Sequence, residues 1–184
     1  MIYLLKENFI NIDFTGIDIS KDLINMAKKE IFLDSVKFIQ DDISTFSLKE
    51  NFDIVIMSGV LSIFDDFEKI LLNVLNHMKK ESVGFIFGAF NKADIDVIIR
   101  YRNNYIESNE WESGWNLFSL KRITDFLESH SKGVEIIKFN LKQEIKKKKN
   151  PVSSYTVKLQ NDSNLIVTGG GVIRDFYLIK FIKK

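Results

Sequence analysis

The sequence predicts an α/β fold: a mostly parallel sheet, helices on both faces, and an antiparallel finish. Three observations carry that reading. Apolar strand patterns alternate with amphipathic helix patterns through residue 90, which is the rhythm of a parallel sheet. Phe52-Asp-Ile-Val-Ile-Met-Ser58 is almost unbroken apolar chain, as a strand covered on both faces requires. After residue 131 the rhythm changes to successive strand patterns with short connections, which only antiparallel pairing allows.

The elements follow in order. Ile2 to Phe9 reads as a helix with Ile2, Leu5 and Phe9 on one face. Ile12 to Asp18 reads as a strand, and Ser20 is suited to cap a helix from Lys21 to about Phe32 that buries Leu23, Ile24, Ala27 and Ile31. Val36 to Gln40 is the next strand, ending at Asp41-Asp42, and Phe52 to Ser58 the third. Asp65 or Asp66 caps a helix running to about Lys80, whose Phe67, Ile70, Leu71, Val74, Leu75 and Met78 form one apolar stripe. Val83 to Ala89 is the fourth strand. A helix over about Ser119 to Ser131 precedes strands at Val134 to Leu141, Ser154 to Leu159, Leu165 to Thr168 and Asp175 to Ile182. Asn161-Asp-Ser163 signals a hairpin. No repeat or long linker divides the chain, so residues 1–184 read as a single domain.

Composition narrows the function. The chain has 184 residues, 45% hydrophobic and 28% charged, enough for a core and unlike a disordered chain. With Lys+Arg 26 against Asp+Glu 25, the balance disfavours a general nucleic-acid or membrane-surface partner, since both need a large positive field. There is no cysteine and only His77 and His130, which argues against a disulfide, a thiolate nucleophile or a His-rich metal site. No apolar run approaches the ~20 residues of a membrane span. The start Met1-Ile-Tyr-Leu-Leu-Lys-Glu lacks the features of a secretory signal. A cytoplasmic location is the expectation.

The chemistry-bearing segment is Phe14-Thr-Gly-Ile-Asp-Ile-Ser20, where an apolar strand ends in an acid and a helix begins. In nucleotide-binding α/β folds such an acid takes the ribose hydroxyls, ~20 residues after a glycine-rich turn. Counted back from Asp18, that spacing reaches Met1 or beyond. None of the nine glycines lies before Gly16.

With two further segments in order and spacing, Val36-Lys-Phe-Ile-Gln-Asp-Asp-Ile43 and Asn51-Phe-Asp-Ile-Val-Ile-Met-Ser-Gly-Val-Leu61, the chain resembles the class I S-adenosylmethionine-dependent methyltransferases. The resemblance is carried by residues 1–90 and matches only in architecture beyond Trp111. It implies a Rossmann-like three-layer sandwich with antiparallel C-terminal strands, a cofactor-binding half over 1–90 and an acceptor-side half over 91–184. It implies methyl transfer from S-adenosylmethionine to a small metabolite or sugar. Asp18 would take both ribose hydroxyls and Ile19 would lie on the adenine. Asp42 would accept the adenine amino group and Ile43 would contact the ring edge. Asp41 stands where relatives often carry a small residue, so which aspartate reads adenine is left open. Ser58, Gly59 and Val60 would line the methionine moiety and the transfer site. No catalytic residue is named. The family's glycine-rich first motif and first strand are missing, so the chain reads as an N-terminally shortened form, or as one whose gap is closed by unusual pairing or by another chain. That gap leaves self-association through the incomplete sheet as an expectation. It also supports a rival reading, a non-catalytic binding or scaffold remnant. A nicotinamide-dependent dehydrogenase, the other rival, is disfavoured by the antiparallel tail.

Other residues have plainer readings. Asp53 supports a strand start, His77 lies on the surface of its helix, and His130 ends a helix where a cation meets the dipole. Lys146 to Lys149 form a solvated loop. Trp111, Trp115 and Phe118 are either a lid over an acceptor or core packing. Gly169-Gly-Gly171 precedes a strand, so a tight turn is favoured over a phosphate loop.

Overall fold

The structure, a computed structural model, describes residues 1–9, 11–30, 35–104, 110–150, 152–160 and 163–184. They form two compact units, one of Met1–Glu50 with Lys69–His77, the other of Asn51–Glu68 with Met78–Lys184.

The first unit contains helix α1 (Ile2–Asn8), strand β1 (Thr15–Asp18), helix α2 (Lys21–Lys29) and strand β2 (Lys37–Gln40). β1 and β2 pair in parallel from Thr15↔Lys37 to Asp18↔Gln40, and α2 makes the crossover that parallel strands need. Gly16 is opposite Phe38, and a Cβ there would lie 2.9 Å from the phenyl ring and 3.0 Å from Ile2 Cδ1. Ser20 caps α2 as expected, its Oγ accepting from the Leu23 amide at 3.3 Å. The helix faces are less covered than the periodicity implies. α2 buries only Ile24, while Leu23 is 54% exposed, and Phe9 beyond α1 is 50% exposed. A two-stranded sheet offers little area for a helix face to cover. Ile31 and Phe32, expected in α2, lie outside the described residues.

This unit also holds most of helix α3 (Glu68–Asn76), which buries Ile70, Leu71, Val74 and Leu75. Asp66 Oδ1 accepts from the Glu68 amide at 3.2 Å and so marks its start. The helix ends at Asn76 rather than near Lys80. Its last turn is used to hold the loop after β2: Asn73 Nδ2 donates to the carbonyls of Ile43 and Phe46, at 3.0 and 3.2 Å. His77 continues that clasp and is buried, correcting the surface reading. Its ring stacks on Phe46 at 4.2 Å. Nε2 accepts from the Leu48 amide at 3.0 Å, which leaves Nδ1 to donate to the Asn73 carbonyl at 2.8 Å.

The second unit is built on a four-stranded sheet of order β3-β4-β11-β7. β3 (Phe52–Ser58) runs parallel to β4 (Met78–Ala89); β11 (Phe176–Lys183) is antiparallel to β4 and to β7 (Ser131–Phe139). The mixed sheet is the one the sequence predicts, though β4 and β7 begin earlier than expected. Phe181 lies opposite Gly84 in register, and a Cβ on Gly84 would fall 2.1 Å from the Phe181 Cζ. The glycine therefore makes room for a ring that is 1% exposed. Helix α4 (Leu120–His130) is capped by Ser119 and buries Ile123 and Leu127 completely. Phe67 meets Phe118 and Phe126 edge-on, at 5.1 and 5.8 Å.

Two smaller sheets complete this unit. Strands β5 (Arg100–Arg102) and β6 (Trp111–Ser113) pair antiparallel, where no strand is predicted. β8 (Ser154–Lys158), β9 (Asn164–Thr168) and β10 (Ile173–Arg174) form an antiparallel sheet. Of the hairpin signal at 161–163, Asn161 and Asp162 lie outside the described residues. Gly169–Gly171 is a tight turn: Gly171, at φ +77°, donates to the Thr168 carbonyl at 3.0 Å. β3 departs from expectation in its cover. Ile54 is 51% exposed, and among the described residues β4 is the only strand paired with β3.

Candidate functional site

The expected adenosine-side residues come together at one end of the β1–β2 pair. Parallel pairing puts the carboxyl ends of both strands on the same edge, where such sheets take their ligands. The last pair in register is Asp18↔Gln40, and the Asp41 amide donates to the Asp18 carbonyl at 3.1 Å. Asp18 Oδ1 accepts from the Ser20 amide at 2.8 Å, tying the carboxylate to the start of α2. Ile19 projects from this edge at 61% exposure, an apolar side chain with little cover.

The Asp41-Asp42 pair is held by its own turn. Asp41 Oδ1 accepts from the Asp42 amide at 2.8 Å, and Asp42 Oδ1 from the Ser44 amide at 2.8 Å. Hydrogen bonds from Ser44, chiefly its backbone, hold the Asp42 carboxyl below the usual carboxylate range. The Asp42 carbonyl accepts from Phe46 at 2.7 Å, and Ile43 is fixed through Asn73. Each aspartate thus uses Oδ1 locally.

Ser58, Gly59 and Val60 belong to the second unit, at the carboxyl end of β3. Gly59 turns the chain out of the sheet at φ +71°, a left-handed conformation that strains other residues. Its amide donates to the Phe87 carbonyl at 2.8 Å, and Ser62 Oγ donates to the Gly59 carbonyl at 3.2 Å. A cleft of about 10 Å³, room for one water, is lined here by Gly59, Val60, Ser62, Phe87 and Phe90 among others.

Sequence reasoning missed Asn116, which is fully buried beside this segment. Its amide donates to the Ser62 carbonyl at 2.7 Å and its Nδ2 to the Phe64 carbonyl at 2.6 Å, while Oδ1 accepts from the Ile99 amide at 2.8 Å. One asparagine therefore ties the chain after Gly59 to the strand entering β5. A lone Asn in a polar stretch carries no signal of such a role. The aromatics of that stretch divide: Phe118 is core, Trp115 is half-buried and Trp111 is 64% exposed under the Arg102 guanidinium. Among the described residues no cluster of three or more His, Cys, Asp or Glu could hold a metal ion. No helix among them is long and apolar enough to cross a membrane.

Comparison with known proteins identifies the family. A family model described as a methyltransferase domain matches residues 1–117, and the chain belongs to that family. Solved structures agree on the fold. The N-methyltransferase NodS from Bradyrhizobium japonicum aligns over 93% of this chain and 73% of its own, with 14% identity and a TM-score of 0.56. The YcgJ protein of Bacillus subtilis aligns over 94% and 82%, at 13% identity and TM-score 0.59. The glycopeptide N-methyltransferase MtfA aligns over 99% and 81%, at 13% identity and TM-score 0.58. A search of curated sequences gave no significant match. The fold is thus the Rossmann-like methyltransferase architecture, as the sequence predicts.

Proposed function

We propose that this protein transfers a methyl group from S-adenosylmethionine to a small-molecule acceptor, as one domain with a cofactor half over 1–90 and an acceptor half over 91–184. The observation that carries the reading is the family match over residues 1–117, which spans all eight expected cofactor residues. NodS and MtfA, whose fold the chain shares, have been solved with S-adenosyl-L-homocysteine and S-adenosyl-L-methionine respectively.

The residues fit the adenosine half of that cofactor. Asp18 uses Oδ1 on Ser20, which leaves Oδ2 for a ribose hydroxyl. Ile19 offers an exposed apolar face to adenine, and Asp41 or Asp42 an acceptor for its amino group. Toward the methionine moiety the chain offers Ser58, Gly59 and Val60. Bound cofactor supplies a methyl on a sulfonium, open to in-line displacement. The chain's own task is to orient acceptor and methyl donor, which by itself lowers a barrier substantially. No strong base is required of it.

Titration calorimetry tests the reading with three ligands. Adenosine and S-adenosylhomocysteine should bind near the millimolar range, about −4 kcal/mol, and NADH should bind no tighter than either. Preference for NADH, or no nucleoside binding at all, would reject the proposal and favour the scaffold reading. We further propose that the edge of β3 with no paired strand among the described residues, where Ile54 is half-exposed, associates with a second copy of the chain.

A further inference from the structure

A cavity of about 110 Å³ lies within the second unit, between the β5–β6 hairpin and the β9–β10 turn. Arg174, Trp115, Tyr101, Thr168 and Gly170 are among its lining residues. It suits a head group with a short stem: whole drug-sized ligands need about 300 Å³ or more.

One charge dominates this cavity. The Arg174 guanidinium is part-buried, and burial pushes its proton affinity below the ordinary arginine value, with no acid among the described residues offsetting it. Its Nε is buried without a hydrogen-bond partner. Nη1 makes a long bond to Ser154 Oγ, 3.4 Å. The adjacent acid, Asp175, pairs with Lys138 at 3.3 Å instead. The other lining cation, Arg100, is occupied by Asp65 at 2.6 Å. Desolvating a guanidinium costs free energy unless an anion compensates it. The walls are equally specific. Arg174 Cζ stands 4.9 Å from the Trp115 ring centre, and Tyr101 lies parallel to Trp115, 3° between planes and 6.2 Å between centres. The Tyr101 hydroxyl donates to Glu112 at 2.8 Å, which fixes that ring. Thr168 Oγ1 accepts from the Val172 amide at 3.3 Å, so its proton remains to be donated.

We propose that this cavity binds an oxyanion, a carboxylate or phosphate carried on a small planar molecule, with Arg174 as its charged anchor and Trp115 and Tyr101 as its aromatic wall. A planar fork pairs with two oxygens at once, which is why arginine suits both groups. Trp115 adjoins Asn116, and Asn116 holds the chain after Gly59 at the Ser62 and Phe64 carbonyls. We take this ligand to be the methyl acceptor, an identification that rests on the methyl-transfer reading; the oxyanion site itself does not.

Trp115 fluorescence in a Trp111→Phe background, without any methyl donor, tests the site. The probes are benzoate, phenyl phosphate and the neutral benzamide. At least one acid should quench saturably while benzamide does not, and the tighter acid identifies the oxyanion. Arg174→Gln should weaken that binding at least tenfold, and Arg174→Lys should fall between, keeping the charge without the fork. Equal quenching by benzamide, no saturation with either acid, or unchanged affinity in Arg174→Gln would overturn the proposal. Should Arg174→Gln fail to fold, the benzoate and benzamide comparison on unaltered Arg174 decides. A chain that binds the acid but transfers no methyl rejects the methyl-transfer reading alone. One that methylates yet ignores both acids rejects this site alone.

Discussion

Asp18 holds the start of α2 and, in the proposed function, also binds the ribose. Its Oδ1 bond to the Ser20 amide shapes the start of α2, and Oδ2 is left for a ligand. Two substitutions separate the roles. Asp18→Ala should weaken adenosine binding by about 1.5–3 kcal/mol, and should also lower stability by about 1 kcal/mol through the lost backbone bond. Asp18→Asn keeps an acceptor for Ser20 but loses the charge, so affinity should fall while the melting temperature holds. Unchanged adenosine affinity in both, by calorimetry, would remove Asp18 from the site. Gly84 is the structural counterpart. Gly84→Ala would drive a methyl into the Phe181 ring, 2.1 Å from Cζ. Overpacking of that kind costs about 1–3 kcal/mol, measurable as a lower urea midpoint. Adding Phe181→Leu should recover part of the loss, and a double variant no better than Gly84→Ala would place the strain elsewhere.

At the scale of elements, an exposed ion pair ties Arg100 of β5 to Asp65. The Arg100 guanidinium, chiefly through its hydrogen bond, holds the Asp65 carboxyl below the usual carboxylate range. A group whose folded pKa is depressed stabilises fully above its unfolded pKa, near 4, and loses that contribution as pH falls through its folded value. Trp111 and Trp115 fluorescence should therefore report loosening of the hairpin below about pH 4. Asp65→Asn should show the loosened signal at neutral pH and lose that acid step; an identical acid profile in both proteins would show that the pair is not the cause. Elements also show where pattern reading stops. β3 is read to the residue, 52–58, because seven consecutive positions carry its signal. α3 is read about four residues too long. Lys79 and Lys80 suit a helix locally, but Met78 already pairs with Phe52 in the sheet and His77 turns inward to Leu48. β5 and β6 are three residues each, too short for a period to register.

At the scale of the whole molecule, β3 is paired on one side only among the described residues, and an apolar strand edge of that kind recruits another strand. Light scattering should show mass rising with concentration, and Ile54→Lys, a charge on that strand, should reduce the rise. A monomer at every concentration, with cooperative melting, would count against association through this edge.

What the sequence by itself determined is the class of fold, the order of the main strands and the cluster at the tips of β1 and β2. Periodicity and caps are local, and parallel pairing then brings Asp18 next to Asp41 with no further information. The family resemblance came from three motifs, and the family model that matches residues 1–117 agrees with it. Only the tertiary structure decided the partners of side chains far apart in the chain. His77 is buried because a backbone amide 29 residues away needs an acceptor, and Asn116 because it meets carbonyls more than 50 residues distant. Arg174 is one cation among 26 until the fold sets it against Trp115, with no acid paired to it among the described residues. Such roles arise from desolvation and long-range contact, and neither leaves a trace in local residue order.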